Sequence, residues 1–282
     1  MQTVEGTLVR RVGVRRVHLS HSERLIDTVA VEEPLEMRLR YWFKDAQHTE
    51  NLAVTMRTPG QDRELAAGFL YSEGLVREQS DIEEIRVLGS GESNELLIEL
   101  SKNADLEMWR ASRATAVNSS CGVCGKRSIE SLEARSRIEA NDDFRVSAAW
   151  VNRWPALLNA NQTGFAQTGG LHAAALVTPG EDPRLEAVFE DIGRHNALDK
   201  VLGWCLLKGQ LPLRRRVLFL SSRSSFELVQ KAATAGAPVL ATIGSPSTLA
   251  VDSARRFGLT LVGFVRSDRF NIYSGEWRIN SK

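Results

Sequence analysis

The chain has 282 residues, of which 43% are hydrophobic and 25% are charged, and its formal net charge at pH 7 is +1. This balance excludes a disordered protein, and the length predicts one large α/β domain or two ordinary ones. Because the net charge is close to zero, no whole-molecule basic field attracts nucleic acid, and we expect no nucleic-acid partner.

The cysteine content and the apolar runs predict a cytoplasmic protein with reduced thiols. Three cysteines are too few for a secreted disulfide scaffold. Arginine and glutamate residues interrupt the N-terminal segment, which excludes a signal peptide. The longest apolar stretches, such as 173–177 and 217–220, are too short to cross a bilayer, so we expect no membrane partner.

The first half of the chain is predicted to be rich in strands. Partial alternation of apolar and polar residues predicts four of them, at 35–43, 52–56, 82–88 and 95–100. A helix is predicted over 62–75, with Gly74 near its end. We place the end of a strand-rich N-terminal domain at residue 143, so that this domain comprises 1–143.

The second half, 144–282, is predicted to be a C-terminal α/β domain. A strand pair at 173–177 and 185–189 is followed by a helix with apolar residues at helical spacing from Ala197 to Leu206. Three strands then alternate with two helices; the strands are 217–220, 239–243 and 259–265, and the helices are 226–235 and 247–257. Such β-α-β-α-β units form parallel sheets with right-handed crossovers.

The segments that follow these three parallel strands are candidates for a binding site. Ligands of open α/β sheets bind beyond the carboxyl ends of the strands. These ends are rich in hydroxyls or arginines and include Ser222, Arg223, Ser245, Arg266 and Arg269. Two of them lead into helix N-termini, which favour anions. Helix capping by serine or threonine explains any one segment equally well, but their convergence on one edge favours a phosphate-bearing ligand.

Cys121 and Cys124 have the spacing of zinc sites, thioredoxin-like redox sites and persulfide carriers. A structural zinc ion needs four ligands, and the sequence has no second such cysteine pair and no paired histidines, although two chains could pool their pairs across a dimer. A disulfide oxidoreductase places its pair after a buried strand, and 112–120 does not resemble one. We therefore favour a carrier and predict no metal ligands.

The segment around this pair suits a group carrier. Residues 116–127 are small and polar, which predicts a mobile loop. Lys126 and Arg127 favour thiolate over thiol. We predict that Cys121 carries a persulfide and that Cys124 assists or resolves it. The alternatives are a non-catalytic chaperone that binds a cofactor or an apoenzyme, and a zinc-stabilised structural protein.

Two histidines and the third cysteine receive separate predictions. His195 opens a helix in Glu190-Asp-Ile-Gly-Arg-His-Asn196, where a role toward a ligand and a simple helix entry are equally supported. His172 is predicted to be a hydrogen-bonded structural histidine, and Cys205 is predicted to fill the core. The chain lacks the His-x-Glu and downstream Pro-Cys-x-x-Cys of zinc deaminases, which excludes metal-activated deamination.

Several ordered segments together are more specific than any of these motifs. They are Glu64-Leu-Ala-Ala-Gly-Phe-Leu-Tyr-Ser-Glu-Gly74, Cys121-Gly-Val-Cys-Gly-Lys126, Thr168-Gly-Gly-Leu-His-Ala-Ala-Ala175, Glu190-Asp-Ile-Gly-Arg-His-Asn-Ala-Leu-Asp-Lys200, Ser221-Ser-Arg-Ser-Ser-Phe-Glu-Leu-Val-Gln-Lys231 and Leu261-Val-Gly-Phe264. In them the sequence resembles the formate dehydrogenase accessory sulfurtransferases, the FdhD/NarQ family.

The resemblance implies a homodimer with a cytidine-deaminase-like three-layer C-terminal domain and a smaller, strand-rich N-terminal domain. It implies that sulfur passes from a cysteine desulfurase, through a persulfide on Cys121, to the molybdenum bis-molybdopterin guanine dinucleotide cofactor. The cofactor is then inserted into the formate dehydrogenase apoprotein.

The implied cofactor contact is Phe264, Val265, Arg266, Ser267, Asp268 and Arg269. Ser267 stands where the family pattern predicts glycine, and Asp268 sets a carboxylate beside the expected phosphates. Residues 1–25 have no match and receive no role.

Overall fold

The structure, a computed structural model, describes residues 8–89, 94–104, 106, 136, 138 and 143–280. The predicted loop with Cys121 and Cys124 lies outside these residues. Within the described part, no helix is both long enough and apolar enough to span a membrane. The chain forms a mixed α/β fold with several sheets, as predicted.

The N-terminal part contains a hairpin and a four-stranded sheet. The hairpin pairs β1 (Val9–Val17) with β2 (Ser22–Ala30). The sheet has the order β4-β3-β6-β5, and its strands are β3 (Glu33–Phe43), β4 (Ala46–Arg57), β5 (Ile82–Val87) and β6 (Glu95–Leu100). All four predicted strands are confirmed, although β4 begins six residues before the predicted 52 because a tight turn at Lys44 and Asp45 joins it directly to β3.

A glycine contact joins the N-terminal helix to the rest of the protein. Helix α1 (Asp62–Glu73) ends at Gly74, whose φ of 75° is left-handed, as predicted. Gly68 of this helix lies against the backbone of Asp199, and Gly203 lies against the backbone of Glu64, so that a Cβ at either glycine would collide. The missing side chains therefore let two helix backbones approach closely.

The C-terminal part is built on a six-stranded sheet with the order β13-β12-β11-β10-β8-β9. Its strands are β8 (His172–Thr178), β9 (Arg184–Asp191), β10 (Val217–Leu220), β11 (Val239–Thr242), β12 (Thr260–Gly263) and β13 (Asn271–Ser274). Strands β10, β11 and β12 are parallel, which confirms the β-α-β-α-β unit.

Helices cover both faces of this sheet. The shorter ones are α2 (Ala148–Val151), α3 (Trp154–Ala160) and α4 (Thr163–Thr168), and the longer ones are α5 (Arg194–Leu207), α6 (Phe226–Thr234) and α7 (Thr248–Phe257). A short pair of β7 (Val146–Ser147) with β14 (Ile279–Asn280) completes the fold.

Alternate residues of β10 point to different cores. Leu218 and Leu220 share one core with α1, α5, α6 and α7, whereas Phe219 packs against Trp154 of α3 on the other face. The first core draws residues from both sides of position 143, for example Leu65 and Leu198. The domain boundary and the cytidine-deaminase-like likeness stay predictions.

Candidate functional site

Three loops converge at the carboxyl edge of the six-stranded sheet. The loop after β10 contacts the loop after β11 through Gly244 N–H, which donates to the Ser222 carbonyl at 3.0 Å, and through Ser224 N–H, which donates to the Ser245 carbonyl at 3.2 Å. The loop after β12 joins them because Phe264 N–H donates to the Gly244 carbonyl at 3.1 Å. The predicted convergence is confirmed, since parallel strands bring their ends to one edge.

Gly244 makes this approach possible. A Cβ on Gly244 would lie 2.8 Å from the Cα and the backbone nitrogen of Arg223, a separation that real Cβ atoms do not show. The backbone cannot yield as a flexible side chain would, so any larger residue would push the two loops apart. Glycine is therefore required where these loops meet.

Phe264 has an unusual backbone conformation at this edge. Its φ is 52°, in the left-handed region that bulky residues rarely occupy, and its side chain is 40% exposed. Such strained conformations cost about 1–3 kcal/mol and cluster at functional sites. The strain and exposure together place an aromatic ring in solvent beside the loops.

The neighbouring residues of the predicted cofactor segment differ in their environments. Val265 is fully buried in the second core, and its N–H donates to the Thr242 carbonyl, so that its side chain anchors the loop. Arg266 Nη1 donates to the Ile243 carbonyl at 2.8 Å. Asp268 and Arg269 form an exposed ion pair at 2.9 Å, and Ser267 is exposed between them and Arg266.

The serines of these loops differ in whether their side chains cap the helix that follows. The Ser247 hydroxyl accepts from Ala250 N–H at the start of α7, as the capping alternative expects. No side chain caps the first turn of α6, although Ser225 stands at the capping position. Ser222 is buried, and Ser245 is half-buried. Capping therefore accounts for the loop before α7 and leaves the loop before α6 available for another role.

His195 forms a short contact with an acidic residue that the sequence did not single out. Its Nε2 lies 2.7 Å from Oε2 of Glu227 in α6 and 3.4 Å from the Ser225 hydroxyl. The pKa of His195 is lowered to about 4, chiefly by burial; Glu227 opposes this shift, and the positive charges of Lys231 and Arg194 add to it. The imidazole is therefore neutral at pH 7, and the geometry assigns its hydrogen to Nε2, which donates to Glu227.

His172 begins β8 at the same edge and lies opposite Asp191 of β9. Burial lowers the pKa of this histidine, and the positive charge of Arg194 lowers it further, while Asp191 opposes both. The part of the chain that the structure describes gives the ring no hydrogen-bond partner, so the hydrogen bond predicted for His172 is not found there. It is thus a second neutral imidazole near Arg194.

A fully buried ion pair holds the junction between β9 and α5. Lys200 Nζ lies 2.8 Å from Asp191 Oδ2, and both side chains are 0% exposed. Lys200 also donates to the Thr58 and Glu190 carbonyls at 3.1 Å. Asp191 accepts from Gly193 N–H at 2.8 Å, which fixes the entry to α5. Segment 190–200 is one of those that carry the family resemblance, but its helical pattern does not indicate that Lys200 is buried.

The described residues contain no cluster of three histidine, cysteine, aspartate or glutamate side chains that could hold a metal ion. Cys205 is buried in the first core, which confirms its prediction as core filler. Burial raises the pKa of its thiol to about 12, so it is not a reactive thiolate at neutral pH. Cys121 and Cys124 lie outside the described residues, and their roles stay predictions.

Comparison with known proteins identifies the family. The sequence model of the FdhD/NarQ family matches residues 30–280. The sulfur carrier protein FdhD of Streptomyces coelicolor is 43% identical over 282 residues, covering 97% of this chain and 96% of that protein. The protein of the same name from Mycolicibacterium paratuberculosis is 44% identical over 275 residues, covering 94% and 97%.

A solved structure supports the fold. It is a crystal structure of a protein from Desulfotalea psychrophila, provisionally described as a formate dehydrogenase accessory protein, with a TM-score of 0.74 and 24% identity. The match covers 97% of this chain and 100% of the other. The converging loops, the predicted cysteine pair and the near-complete match to the family model lead to one assignment: the chain belongs to the FdhD/NarQ family.

Proposed function

We propose that the protein is a sulfur carrier that takes sulfane sulfur from a cysteine desulfurase and delivers it to the molybdenum bis-molybdopterin guanine dinucleotide cofactor. The cofactor then enters the formate dehydrogenase apoprotein. The observation that carries this proposal is the similarity, over nearly the whole chain, to relatives named as sulfur carrier proteins. The similarity to a structure described as a formate dehydrogenase accessory protein supports formate dehydrogenase as the client.

The chemistry can be written for the two cysteines. The Cys121 thiolate attacks the outer sulfur of the desulfurase persulfide, and the desulfurase cysteine leaves as a thiolate, so that Cys121 becomes a persulfide. The Cys124 thiolate then attacks the inner sulfur of that persulfide. A Cys121–Cys124 disulfide forms, the outer sulfur leaves as hydrosulfide for the acceptor, and an external thiol must reduce the disulfide before the next cycle.

The carboxyl edge of the sheet suits the guanine dinucleotide end of the cofactor. Arg223 and Arg266 supply positive charge, and Ser245 supplies a half-buried hydroxyl on the adjoining loop. The buried Ser222 hydroxyl donates to the Arg223 carbonyl at 3.1 Å and so holds its own loop. Phosphates bind such groups and free helix N–H groups. The exposed Phe264 ring offers a flat apolar surface on which a purine can stack. We expect GDP to bind here because it carries both chemical features.

Cysteine replacements separate this function from its two alternatives. For a carrier, Cys121→Ala abolishes sulfur loading and dehydrogenase maturation but preserves folding and GDP binding. Maturation at the wild-type level in Cys121→Ala would support the non-catalytic chaperone instead. Loss of a stoichiometric metal ion together with loss of stability would support the zinc-stabilised protein. Cys205→Ala is the matched control, since this buried thiol has no part in transfer.

A further inference from the structure

Arg194 lies at the carboxyl edge of the sheet and has no counterion within the residues that the structure describes. It is the first residue of α5, directly after the end of β9. The side chain is half-buried, and its Nε is enclosed without a hydrogen-bond partner in the described part of the chain. Among the described residues, no carboxylate pairs with its guanidinium. A guanidinium is normally retained in such a place only when an acceptor is available, so the unmet N–H group indicates a ligand.

The acidic side chains around Arg194 are already committed to other groups. Asp191 accepts from Gly193 N–H and Asn196 Nδ2 at one oxygen and from Thr58 N–H and Lys200 Nζ at the other. Glu190 accepts from two backbone N–H groups at the start of α4. Glu227 holds His195. Each of these carboxylates therefore already has a partner other than Arg194.

The charge around Arg194 favours a singly charged ligand. Arg194 depresses the pKa of both His172 and His195, so its charge is close to both rings. Both imidazoles are neutral at pH 7 and add no second positive charge. The nearby ammonium of Lys231 is already paired, since its Nζ lies 2.6 Å from Oδ2 of Asp199. A phosphate dianion would lose strong hydration here for one cation, whereas a weakly hydrated monoanion loses less.

The region around Arg194 is distinct from the proposed phosphate-binding loops but borders the loop after β10. Strand β9 lies four strands from β12 in the sheet order, which is about 19 Å at about 4.8 Å per strand. His195 nevertheless reaches Ser225 in the loop after β10. The loop after β10 therefore lies between the phosphate loops and the helix that carries Arg194.

We propose that Arg194 binds a sulfur-centred monoanion, either free hydrosulfide or the terminal sulfur of a persulfide, at the β9 end of this edge. The inference rests on the proposed function, because sulfur transfer is what would bring such an anion here. Both species carry one charge on a large, polarisable atom and suit a half-buried guanidinium near two neutral imidazoles. Arg194 is a positioning residue and forms no covalent bond.

Histidine NMR tests the binding directly. Hydrosulfide is titrated into protein with 15N-labelled histidine, and the ring signals of His172 and His195 are followed, with inorganic phosphate as the competing probe. We expect saturable shifts with hydrosulfide that Arg194→Gln weakens about 10- to 100-fold, the usual effect of losing one charged hydrogen bond. Arg194→Lys retains part of the affinity, and Arg184→Gln, on the exposed end of β9, leaves it unchanged.

The proposal is overturned if Arg194→Gln binds hydrosulfide as tightly as the wild type, or if phosphate competes with equal affinity. The two sources of sulfur are distinguished by loading with desulfurase and cysteine. A persulfide on the chain shifts the histidine signals in the wild type but not in Cys121→Ala, whereas free hydrosulfide shifts them in both.

Failure of this inference is distinguishable from failure of the proposed function. If the wild type accepts no sulfur from the desulfurase, the carrier function is refuted, and the hydrosulfide titration still decides the role of Arg194. If the wild type loads, Arg194→Gln should load to the same extent and deliver sulfur at least tenfold more slowly. Equal delivery would refute the role of Arg194 alone. As a control for folding, the histidine spectra of Arg194→Lys are recorded without hydrosulfide. Spectra that match those of the wild type show that the fold is intact.

Discussion

Replacing Lys200 with methionine should destabilise the protein strongly, because it leaves a buried carboxylate without its cation. Asp191 and Lys200 are both fully enclosed and lie 2.8 Å apart. Removing one partner of such a pair costs about 3–5 kcal/mol, since the remaining charge has no access to water. In a chain of 282 residues that loss corresponds to a fall in Tm of roughly 5–9 °C.

Urea unfolding followed by circular dichroism measures this loss. Lys208→Met is the matched control, because Lys208 directly follows the same helix and is exposed. Its ammonium lies 4.2 Å from the centre of the Trp204 ring, so its loss should change the free energy of unfolding by less than about 1 kcal/mol. The double variant Asp191→Leu with Lys200→Met should recover part of the stability, since it removes both charges together. A loss below about 1 kcal/mol in Lys200→Met would refute the claim that this pair holds the junction between β9 and α5.

Three further predictions concern packing, pH and strain. Gly203→Ala should destabilise the protein by about 1–3 kcal/mol in thermal unfolding, because its Cβ collides with α1, whereas Gly180→Ala, with open space around it, should not. The pKa of His195 is lowered to about 4 from 6.5, so the unfolded chain binds a proton first and stability should fall as the pH drops from about 6.5 toward 4. Urea titrations at several pH values should show this slope in the wild type and a smaller one in His195→Gln. Phe264→Gly should relieve backbone strain and raise stability by about 1 kcal/mol while weakening GDP binding by calorimetry; unchanged GDP affinity would show that the ring does not contact the base.

The sequence predicted the β-α-β-α-β unit well because its strands are short, continuous apolar runs. Val217–Leu220 is wholly buried and coincides with the prediction, and Gly258 ends α7 at the predicted residue. The β1–β2 hairpin was not predicted. In β1, pairs of arginines separate Val9 from Val12 and Val14 from Val17, and most of the strand is exposed, so no clear period of two marks it.

The site could be predicted only in part, for physical reasons that differ by residue. The convergence of the loops follows from parallel strands, which a sequence pattern can reveal. The left-handed backbone of Phe264 could not be foreseen, because phenylalanine is not a residue that favours such turns. His195 and Glu227 are 32 residues apart in the sequence and lie on two different helices, so their contact depends on tertiary packing alone.

The central claim is that Cys121 relays sulfur from cysteine to the cofactor, and isotopically labelled cysteine tests it most directly. The protein is incubated with a cysteine desulfurase and the labelled amino acid, and the label is followed by mass spectrometry in the peptide containing Cys121 and then in the cofactor. We expect label on Cys121 before it reaches the cofactor, and none in the cofactor with Cys121→Ala. Delivery of label at the wild-type rate by Cys121→Ala would contradict the account.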